Sequence, residues 1–183
     1  MKTEVTHIRP DIRRLLQSDQ PDLVDFFNRT DLQTRRLRFC SQVSDDYVTS
    51  YAEGLVSSDS VAYGAFTDQA LRGISELRIL PGSWPRTAEI ALMVEPDWQE
   101  RGIGDALFDR VLTAAQNRNI KSIYMLCLRE NKRMQHLAKK HDAILQFDIG
   151  EVEAALTPPW PTPMSLFYEM FTETRDYLQL ISR

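Results

Sequence analysis

The spacing of apolar residues changes from helical to strand-like near residue 60. After a polar start, a short strand is predicted at 12–16, and apolar positions then recur at the three-and-four spacing of helices. Early helices are predicted from about Pro21, over 31–39, and from Asp45 to Gly54. Beyond residue 60, short apolar runs bounded by turn residues indicate strands. These strands are predicted at 61–66, 73–80, 90–94, 122–128, 144–149 and 152–156.

The central stretch, residues 88–117, combines a buried strand, a tight loop and an amphipathic helix. The strand ends at Val94, and Pro96 prevents its continuation because proline has no N–H for a sheet ladder. Apolar residues then recur at helical spacing from Ala106, and the next strand lies at 122–128. A strand-helix-strand unit of this length indicates a parallel pair with a right-handed crossover. The predicted fold class is therefore α/β, with a mixed, largely antiparallel sheet flanked by helices.

The C-terminal part begins with a stiff connector over 157–163, which contains four prolines. A terminal amphipathic helix is predicted over 164–181. Its apolar anchors are Phe167, Met170, Phe171, Tyr177 and Leu178. We expect this helix to pack on its own domain, with a partner interface or a lid over the acceptor groove as alternatives. One domain over residues 1–183 is predicted.

Composition narrows the classes of function. The 183 residues carry a formal net charge of −4, which disfavours general nucleic-acid or membrane binding. Cys40 and Cys127 indicate no disulfide framework, and we expect them to be packing residues. No apolar signal region and no apolar run of membrane-spanning length is present, so a cytoplasmic protein is predicted. The three histidines lack metal-ligand spacing, and no metal site is expected.

The loop between the central strand and its helix reads Gln99-Glu100-Arg101-Gly102-Ile103-Gly104. Glycines at the first turn of a helix allow a ligand to approach the free N–H groups there, which suit an anion. A dinucleotide fingerprint needs a small residue where Leu107 stands, and no Gly-Lys-Ser/Thr follows. A phosphate-type site remains, with a plain helix cap as the alternative.

The loop Gln-x-x-Gly-x-Gly after a Val-x-Pro strand end resembles the pyrophosphate loop of the GNAT superfamily of N-acetyltransferases, which bind acetyl-CoA. Over residues 8–156 the chain also resembles the GNAT domain of bacterial protein-lysine acetyltransferases. That resemblance is carried by Phe26-Phe27, Arg35, Arg38, Phe39, Trp98-Gln99 and Glu130-Asn131-Lys132-Arg133-Met134. It implies a GNAT-like fold with a parallel strand pair splayed around the acetyl-CoA site.

The resemblance also implies cofactor contacts. Backbone N–H groups of Gln99, Glu100, Arg101, Gly102, Ile103 and Gly104 would hold the pyrophosphate, and the Arg101 side chain would add positive charge. The strand edge at Met93 and Val94 would pair with the pantetheine amides and donate an N–H to the thioester oxygen. Asn131 matches a family position that contacts the cofactor, with a helix N-cap as its alternative role.

Catalytic residues follow from the same resemblance. Glu89 matches the glutamate assigned as general base in the protein-lysine acetyltransferases, with a solvated strand-entry glutamate as the alternative. Glu76 is the second candidate, with a surface salt bridge as its alternative role. Many GNAT enzymes place a tyrosine general acid where this chain has Ala138. Tyr124 and Tyr168 are substitutes supported only by residue type.

The leading hypothesis is direct transfer of acetyl from acetyl-CoA to a primary amine in a ternary complex. The missing tyrosine and the early helices favour a protein lysine as acceptor. A small-molecule acetyltransferase that uses a polyamine, amino acid or antibiotic is the alternative enzyme. A catalytically silent acyl-CoA sensor is the alternative from another class. A homodimer is allowed, and neither a nucleic-acid nor a membrane partner is expected.

Overall fold

The computed structural model describes residues 10–56 and 60–181, with side chains up to residue 175. Its strands are β1 (Asp11–Arg14), β2 (Ser60–Thr67), β3 (Ala70–Ile79), β4 (Thr87–Val94), β5 (Ser122–Leu128), β6 (Ile144–Phe147) and β7 (Glu151–Leu156). Its α-helices are α1 (Gln20–Arg29), α2 (Leu32–Phe39), α3 (Asp45–Gly54), α4 (Ile103–Asn117), α5 (Lys132–Lys140) and α6 (Pro163–Ile181). The predicted elements are thus present, with small differences at their ends.

The strands form one seven-stranded sheet in the order β1-β2-β3-β4-β5-β7-β6. Neighbours are antiparallel except β4 and β5, which run parallel as the crossover helix between them requires. That parallel pairing covers only three positions and ends at Glu89 opposite Tyr124. Both strands continue, so β4 and β5 splay apart beyond Glu89. The mixed, largely antiparallel α/β sheet with a splayed parallel pair is confirmed.

Two apolar layers cover the sheet. Helix α4 packs on one face, where Leu107, Phe108 and Val111 are fully buried. Helices α1 and α3 pack on the other face, against Ile74 and Met93 among others. Side chains along β4 alternate between the two layers, which explains its nearly continuous apolar sequence. The end of the central strand, from Leu92 to Val94, is therefore buried on both faces.

Helix α6 does not pack as its apolar pattern predicts. It lies against α4 and β1, but Phe167, Met170 and Phe171 are exposed rather than buried. The anchoring role predicted for these three residues is wrong. The predictions for Tyr177 and Leu178 fall on side chains outside the described part of the chain. Among the helices that the structure describes, none has the length and apolarity to span a bilayer.

Candidate active site

The turn from β4 into α4 leaves backbone N–H groups without protein acceptors. Glu100 and Gly102 take left-handed conformations, with φ of 59° and 82°, and Gly102 caps α4 with no side-chain hydrogen bond. Since the first N–H groups of a helix have no acceptor within it, those of Ile103 and Gly104 face outward at this end. Gln99 does not belong to this set, because its N–H donates to the Pro96 carbonyl at 3.2 Å. The Gln99 N–H is therefore not free to bind the pyrophosphate, contrary to the prediction.

The two loop glycines act differently. Gly102 is required by its positive φ, a conformation that side chains with a Cβ rarely adopt. Gly104 lies inside the helix and has no such need. A Cβ at Gly104 would meet only Leu137 at 3.9 Å and Leu92 at 4.0 Å, which are ordinary contacts. The missing side chain at 104 therefore leaves open space between α4 and α5, directly over the free N–H groups.

A cleft of about 430 Å³ occupies that space. Its floor is the end of β4, and its walls come from α2, the α4 turn and α5. The predicted residues Met93, Val94, Gln99, Glu100, Gly102, Gly104 and Asn131 all line it. Further lining residues, which the sequence analysis did not assign to the site, are Thr34, Leu37, Leu92, Asp105, Lys132, Arg133, His136 and Leu137.

The positive charge in the cleft has a different source from the predicted one. The Arg101 guanidinium lies 5.0 Å from the centre of the Trp98 ring, and Arg101 does not line the cleft. The cations that do line it include Lys132 and Arg133 at the start of α5. In sequence these two residues look like an ordinary solvated helix face, and only the packing of α5 beside α4 brings them to the cleft.

The edge of β4 that faces the splay can be identified from its hydrogen bonds to β3. Leu80 N–H donates to Thr87 at 2.9 Å, and Glu95 N–H donates to Arg72 at 2.9 Å. Successive residues of a strand point their backbone N–H and C=O groups to alternate sides. Every odd-numbered residue of β4 therefore hydrogen-bonds to β3, and every even-numbered residue points these groups away from β3. Leu92 and Val94 therefore present their N–H groups to the splay. Met93 lines the cleft, but its backbone N–H is directed to Ile74 of β3. The donor predicted at Met93 is therefore reassigned to the N–H of Leu92.

Gln99 has a structural role through its side chain. Its Nε2 donates to the Val94 carbonyl at 2.9 Å. Beyond Glu89 this carbonyl has no β5 partner, so the glutamine satisfies a strand-end acceptor that the splay leaves open. The bond also ties the loop to the strand end. Gln99 thereby fixes the position of the α4 N-terminus relative to Leu92 and Val94.

A second cavity of about 180 Å³ continues from the cleft on the side of α2 and α3. The two spaces share Leu37, Arg38, Leu92 and Met134. The walls of the second cavity combine apolar, aromatic and charged side chains. Its charged residues are Arg38, Arg78 and Glu89, and its tyrosines are Tyr47 and Tyr51. The β4 edge thus lies between a long cleft and a small pocket.

The Glu89 carboxylate is available to a ligand in this pocket. Glu89 is half-buried and lies on the last rung that joins β4 to β5. Within the described part of the chain, no hydrogen bond or ion pair engages its side chain. Other half-buried carboxylates here have such a partner, as Glu169 does with Arg118. Arg78, opposite Glu89 on β3, interacts with this carboxylate electrostatically without forming an ion pair. Glu89 is therefore placed to accept a proton from a ligand.

Glu76 differs from Glu89 because its carboxylate is already committed. It is buried, accepts a hydrogen bond from Arg38 at 3.1 Å, and accepts another from the Tyr51 hydroxyl. The predicted surface location of its salt bridge is wrong, since both partners are at most 8% exposed. Burial raises the pKa of Tyr51 far above its usual value, so Tyr51 remains a hydrogen-bond donor. Glu76 holds Arg38 and Tyr51 in the pocket wall.

The alternative role of Asn131 is confirmed, since its Oδ1 accepts from the Met134 N–H at 3.2 Å and caps α5. Ala138 is buried in the core, so the position of the family's tyrosine faces away from the cleft here. Tyr168 lies on α6 beside Arg110 and lines neither cavity. Tyr124 neighbours Glu89 across β4 and β5. Of the two tyrosines, only Tyr124 is near the pocket.

The two cysteines both line the small pocket. Cys40 ends α2, as expected of a helix-end residue, and Cys127 is buried on β5. Burial, with the neighbouring Cys40, raises the pKa of Cys127 to about 11, and burial also raises that of Cys40. Both thiols are protonated at neutral pH, and a thiol is a far weaker nucleophile than a thiolate. Neither cysteine is suited to carry a covalent acyl intermediate.

Comparison with known proteins agrees with this geometry. The sequence model of the Acetyltransferase (GNAT) family matches residues 13–142. That match includes strands β2 to β5, the α4 turn and all of α5, and it ends before β6. A search of the curated proteins found no match.

Solved structures of similar fold include the GNAT domain of S. lividans PAT, at 20% identity and a TM-score of 0.68 over 82% of this chain and 94% of that one. PaiA N-acetyltransferase from Thermoplasma acidophilum, in complex with coenzyme A, is 19% identical with a TM-score of 0.61, over 82% and 99% of the two chains. The ribosomal-protein-S18-alanine N-acetyltransferase from Escherichia coli is 13% identical with a TM-score of 0.61, over 83% and 96%. At these identities the likeness shows the fold.

Proposed function

The chain belongs to the GNAT family of acetyltransferases, and from that premise we propose that it transfers acetyl from acetyl-CoA to a primary amine. The observation that carries the proposal is the continuity of the two cavities across the free edge of β4. The cleft offers phosphate-binding N–H groups, and the small pocket offers an unpaired carboxylate at Glu89. Two substrates could thus meet at the strand edge between them.

The cleft has the groups that acetyl-CoA requires. Free N–H groups at the start of α4 suit the pyrophosphate, because the positive end of a helix dipole adds to their hydrogen bonds. Lys132 supplies positive charge to the same cleft, and Arg133 lines it in an ion pair with Glu100 at 3.2 Å. The extended pantetheine arm carries amides that match the unpaired edge of β4 at Leu92 and Val94. Acetyl-CoA is therefore the cosubstrate that fits this cleft.

The edge of β4 also supplies a donor for the reaction itself. Attack of the amine nitrogen on the thioester carbon moves negative charge onto the carbonyl oxygen. A backbone N–H fixed in the sheet can stabilise that charge without reorganising, and one such donor contributes a factor of about 10²–10³ in rate. Leu92 is our candidate for this donor, since its N–H faces the splay where the two cavities meet.

Glu89 is our candidate for the general base. A primary alkyl ammonium has a pKa of about 10.4, so it must lose a proton before its nitrogen can attack. The Glu89 carboxylate would accept that proton, directly or through a water molecule. The new C–N bond then forms as the C–S bond breaks, and the CoA thiolate leaves and takes up a proton. No acyl group passes through the protein.

A lysine side chain fits the small pocket better than a bulky acceptor does. The pocket has about 180 Å³ of space, some apolar and aromatic side chains to contact an alkyl stem, and the Glu89 carboxylate for the ammonium. Two further observations favour a protein acceptor. The fold is similar to the GNAT domain of S. lividans PAT, and Ala138 stands in the core where many GNAT enzymes have a tyrosine. We therefore propose a protein lysine as the acceptor, with a small alkyl amine such as a polyamine as the alternative.

The test measures free-thiol release from acetyl-CoA with lysine peptides and with a panel of small amines. Glu89→Gln should lower kcat/KM about 10²–10⁴-fold at neutral pH, because it removes the base. The affinity for acetyl-CoA, measured by calorimetry, should stay unchanged. Glu53→Gln, an exposed helix residue remote from the pocket, is the matched control and should keep full activity.

Three results would overturn parts of the proposal. Turnover of small amines without any turnover of lysine peptides would replace the acceptor. Acetyl-CoA binding with no thiol release from any acceptor would favour a silent acyl-CoA sensor. Equal activity of Glu89→Gln and the wild type would remove Glu89 from catalysis while leaving the acetyl-CoA cleft in place.

A further inference from the structure

Helix α6 is attached to the domain through polar contacts. Its Ser165 hydroxyl donates to Asn117 of α4 at 2.6 Å. Its Glu169 carboxylate accepts from Arg118 at 2.7 Å and is only 12% exposed. Its Glu173 accepts from Arg14 of β1 at 3.1 Å. The side of α6 that faces the domain is thus its charged and hydroxyl-bearing side.

The opposite side of α6 is apolar and faces outward. Phe167 and Phe171 are 58% and 59% exposed, and their rings stack with centroids 6.0 Å apart. We call the outward residues the α6 patch. Its members are Met164, Leu166, Phe167, Tyr168, Met170 and Phe171, with Trp160 just before the helix. Met164, Phe167 and Phe171 follow the three-and-four spacing of a helix-pairing seam.

The size of the α6 patch matches what a stable dimer needs. An aromatic side chain carries roughly 150–250 Å² of surface. At the exposed fractions observed, the seven residues offer roughly 800 Å² in each copy. The largest apolar patch of a typical monomer is about 300–600 Å². Standard interfaces bury about 800 Å² per partner, so two such patches would form one interface of ordinary size.

The charge pattern selects a second copy of this chain as the occupant. A two-fold interface brings the same surface of each copy together, so charges on it would meet like charges. The exposed residues of α6 from Pro163 to Thr174 include no Asp, Glu, Lys or Arg, and the one exposed charge among the described side chains of the helix, Arg175, lies one turn after Phe171 at the end of the patch. A membrane-binding helix would instead carry basic residues on its polar side. Here the polar side of the described helix carries Glu169 and Glu173, turned toward the domain.

We propose that the α6 patch is the interface of a homodimer, in which the α6 helices of two copies pair through Phe167 and Phe171. A shallow groove between α4 and α6, lined by Thr113, Gln116 and Phe171 among others, gives room for the partner's side chains. The α6 patch shares no residue with either cavity of the candidate site. Each copy therefore keeps its own open site, and dimerisation does not depend on the proposed activity.

The test is sedimentation equilibrium of the full chain. The wild type should sediment at twice its 21.2 kDa mass at tens of micromolar. The double variants F167K/F171K and F167E/F171E should each be monomeric, with dissociation constants raised at least about 100-fold, because like charges meet at the seam. An equimolar mixture of the two should recover a dimer. Ile149→Glu removes a 97% exposed apolar residue elsewhere and should leave the dimer intact.

A monomeric wild type at 100 μM would overturn the proposal. So would double variants that remain dimeric while their circular dichroism shows the native fold. Binding of monomeric wild type to anionic lipid vesicles, lost in both double variants, would assign the α6 patch to a membrane surface instead. All variants should bind acetyl-CoA with equal affinity in the absence of an acceptor. The test of the dimer is therefore independent of the test of acetyltransferase activity.

Discussion

Helices α4 and α6 lie side by side, and each has an apolar and a polar side. In α4 the apolar side faces the sheet, where Leu107, Phe108 and Val111 are fully buried. In α6 the polar side faces the domain and the apolar side faces water. Both helices satisfy the periodicity expected of amphipathic helices. The periodicity therefore indicates that a helix forms, and it leaves open which side the domain covers.

The difference follows from what each helix meets. Helix α4 crosses between β4 and β5, and the apolar sheet face beneath it requires an apolar partner. Helix α6 follows the last strand in sequence, and it packs on the outer side of α4. That side presents Asn117 and Arg118, which are polar or charged. Arg118 is half-buried, and partial loss of its hydration makes a charged partner favourable, which Glu169 supplies.

The largest test of this contrast compares the apolar residues of the two helices. Leu107→Ala in α4 should lower the free energy of unfolding by about 2–5 kcal/mol, because it leaves a cavity in a closed core. Phe167→Ala in α6 should change it by less than about 0.5 kcal/mol when measured below the dimer dissociation constant. Urea unfolding followed by circular dichroism measures both. A comparable loss in Phe167→Ala would mean that α6 packs through its apolar side.

The second test addresses the polar attachment of α6. Glu169→Ala removes an acceptor that Arg118 and Asn117 share, and it should cost about 0.5–1.5 kcal/mol, since the two donors keep second acceptors at Ala114 and Ser165. In this variant the amides of α6 should exchange with solvent faster than in the wild type, and those of α4 should exchange at the wild-type rate. Unchanged exchange in α6 would show that the polar contacts do not hold this helix.

The third test separates stability from ligand binding at the start of α4. Gly104→Ala should raise stability by about 0.5–1 kcal/mol, since alanine favours a helix and finds only ordinary contacts there. It should weaken acetyl-CoA binding at least about 10-fold, or 1.4 kcal/mol, because the methyl group enters the cleft. The matched control is Gly54→Ala in α3, where an added Cβ meets nothing within 4 Å. Calorimetry that found equal affinity in both variants would remove the pyrophosphate site from the α4 turn.

The smallest expected effect is at Glu173, one turn beyond Glu169. Its ion pair with Arg14 is exposed by about a third on both sides. Water screens such a pair, so Glu173→Gln should cost at most about 0.5 kcal/mol. The same unfolding measurements apply. A loss as large as that of Glu169→Ala would show that the outer ion pair contributes as much as the buried one.

Some residues of the candidate site can be predicted from local sequence, and others can be identified only from contacts between distant elements. Gly102, Gly104 and their loop were found from sequence because a tight turn into a helix has a local signature. Lys132 and Arg133 were missed as cleft residues, since nothing local distinguishes them from a solvated helix face. The buried location of Glu76 was also missed. Its burial depends on Arg38 and Tyr51, which come from two other elements.

The amino-acid pattern alone predicts the order of helices and strands, the parallel crossover and the tight glycine turn into α4. Each of these depends on residues within about thirty positions of one another, whose spacing sets the backbone conformation. Three features follow from contacts between distant parts of the chain: Leu92 rather than Met93 directs its N–H to the splay, Glu89 has no ion pair within the described residues while Glu76 has one, and α6 presents its apolar side to water. Strand pairing and ion pairs join groups far apart in sequence, and burial depends on which surface each element packs against, so local spacing cannot reveal them.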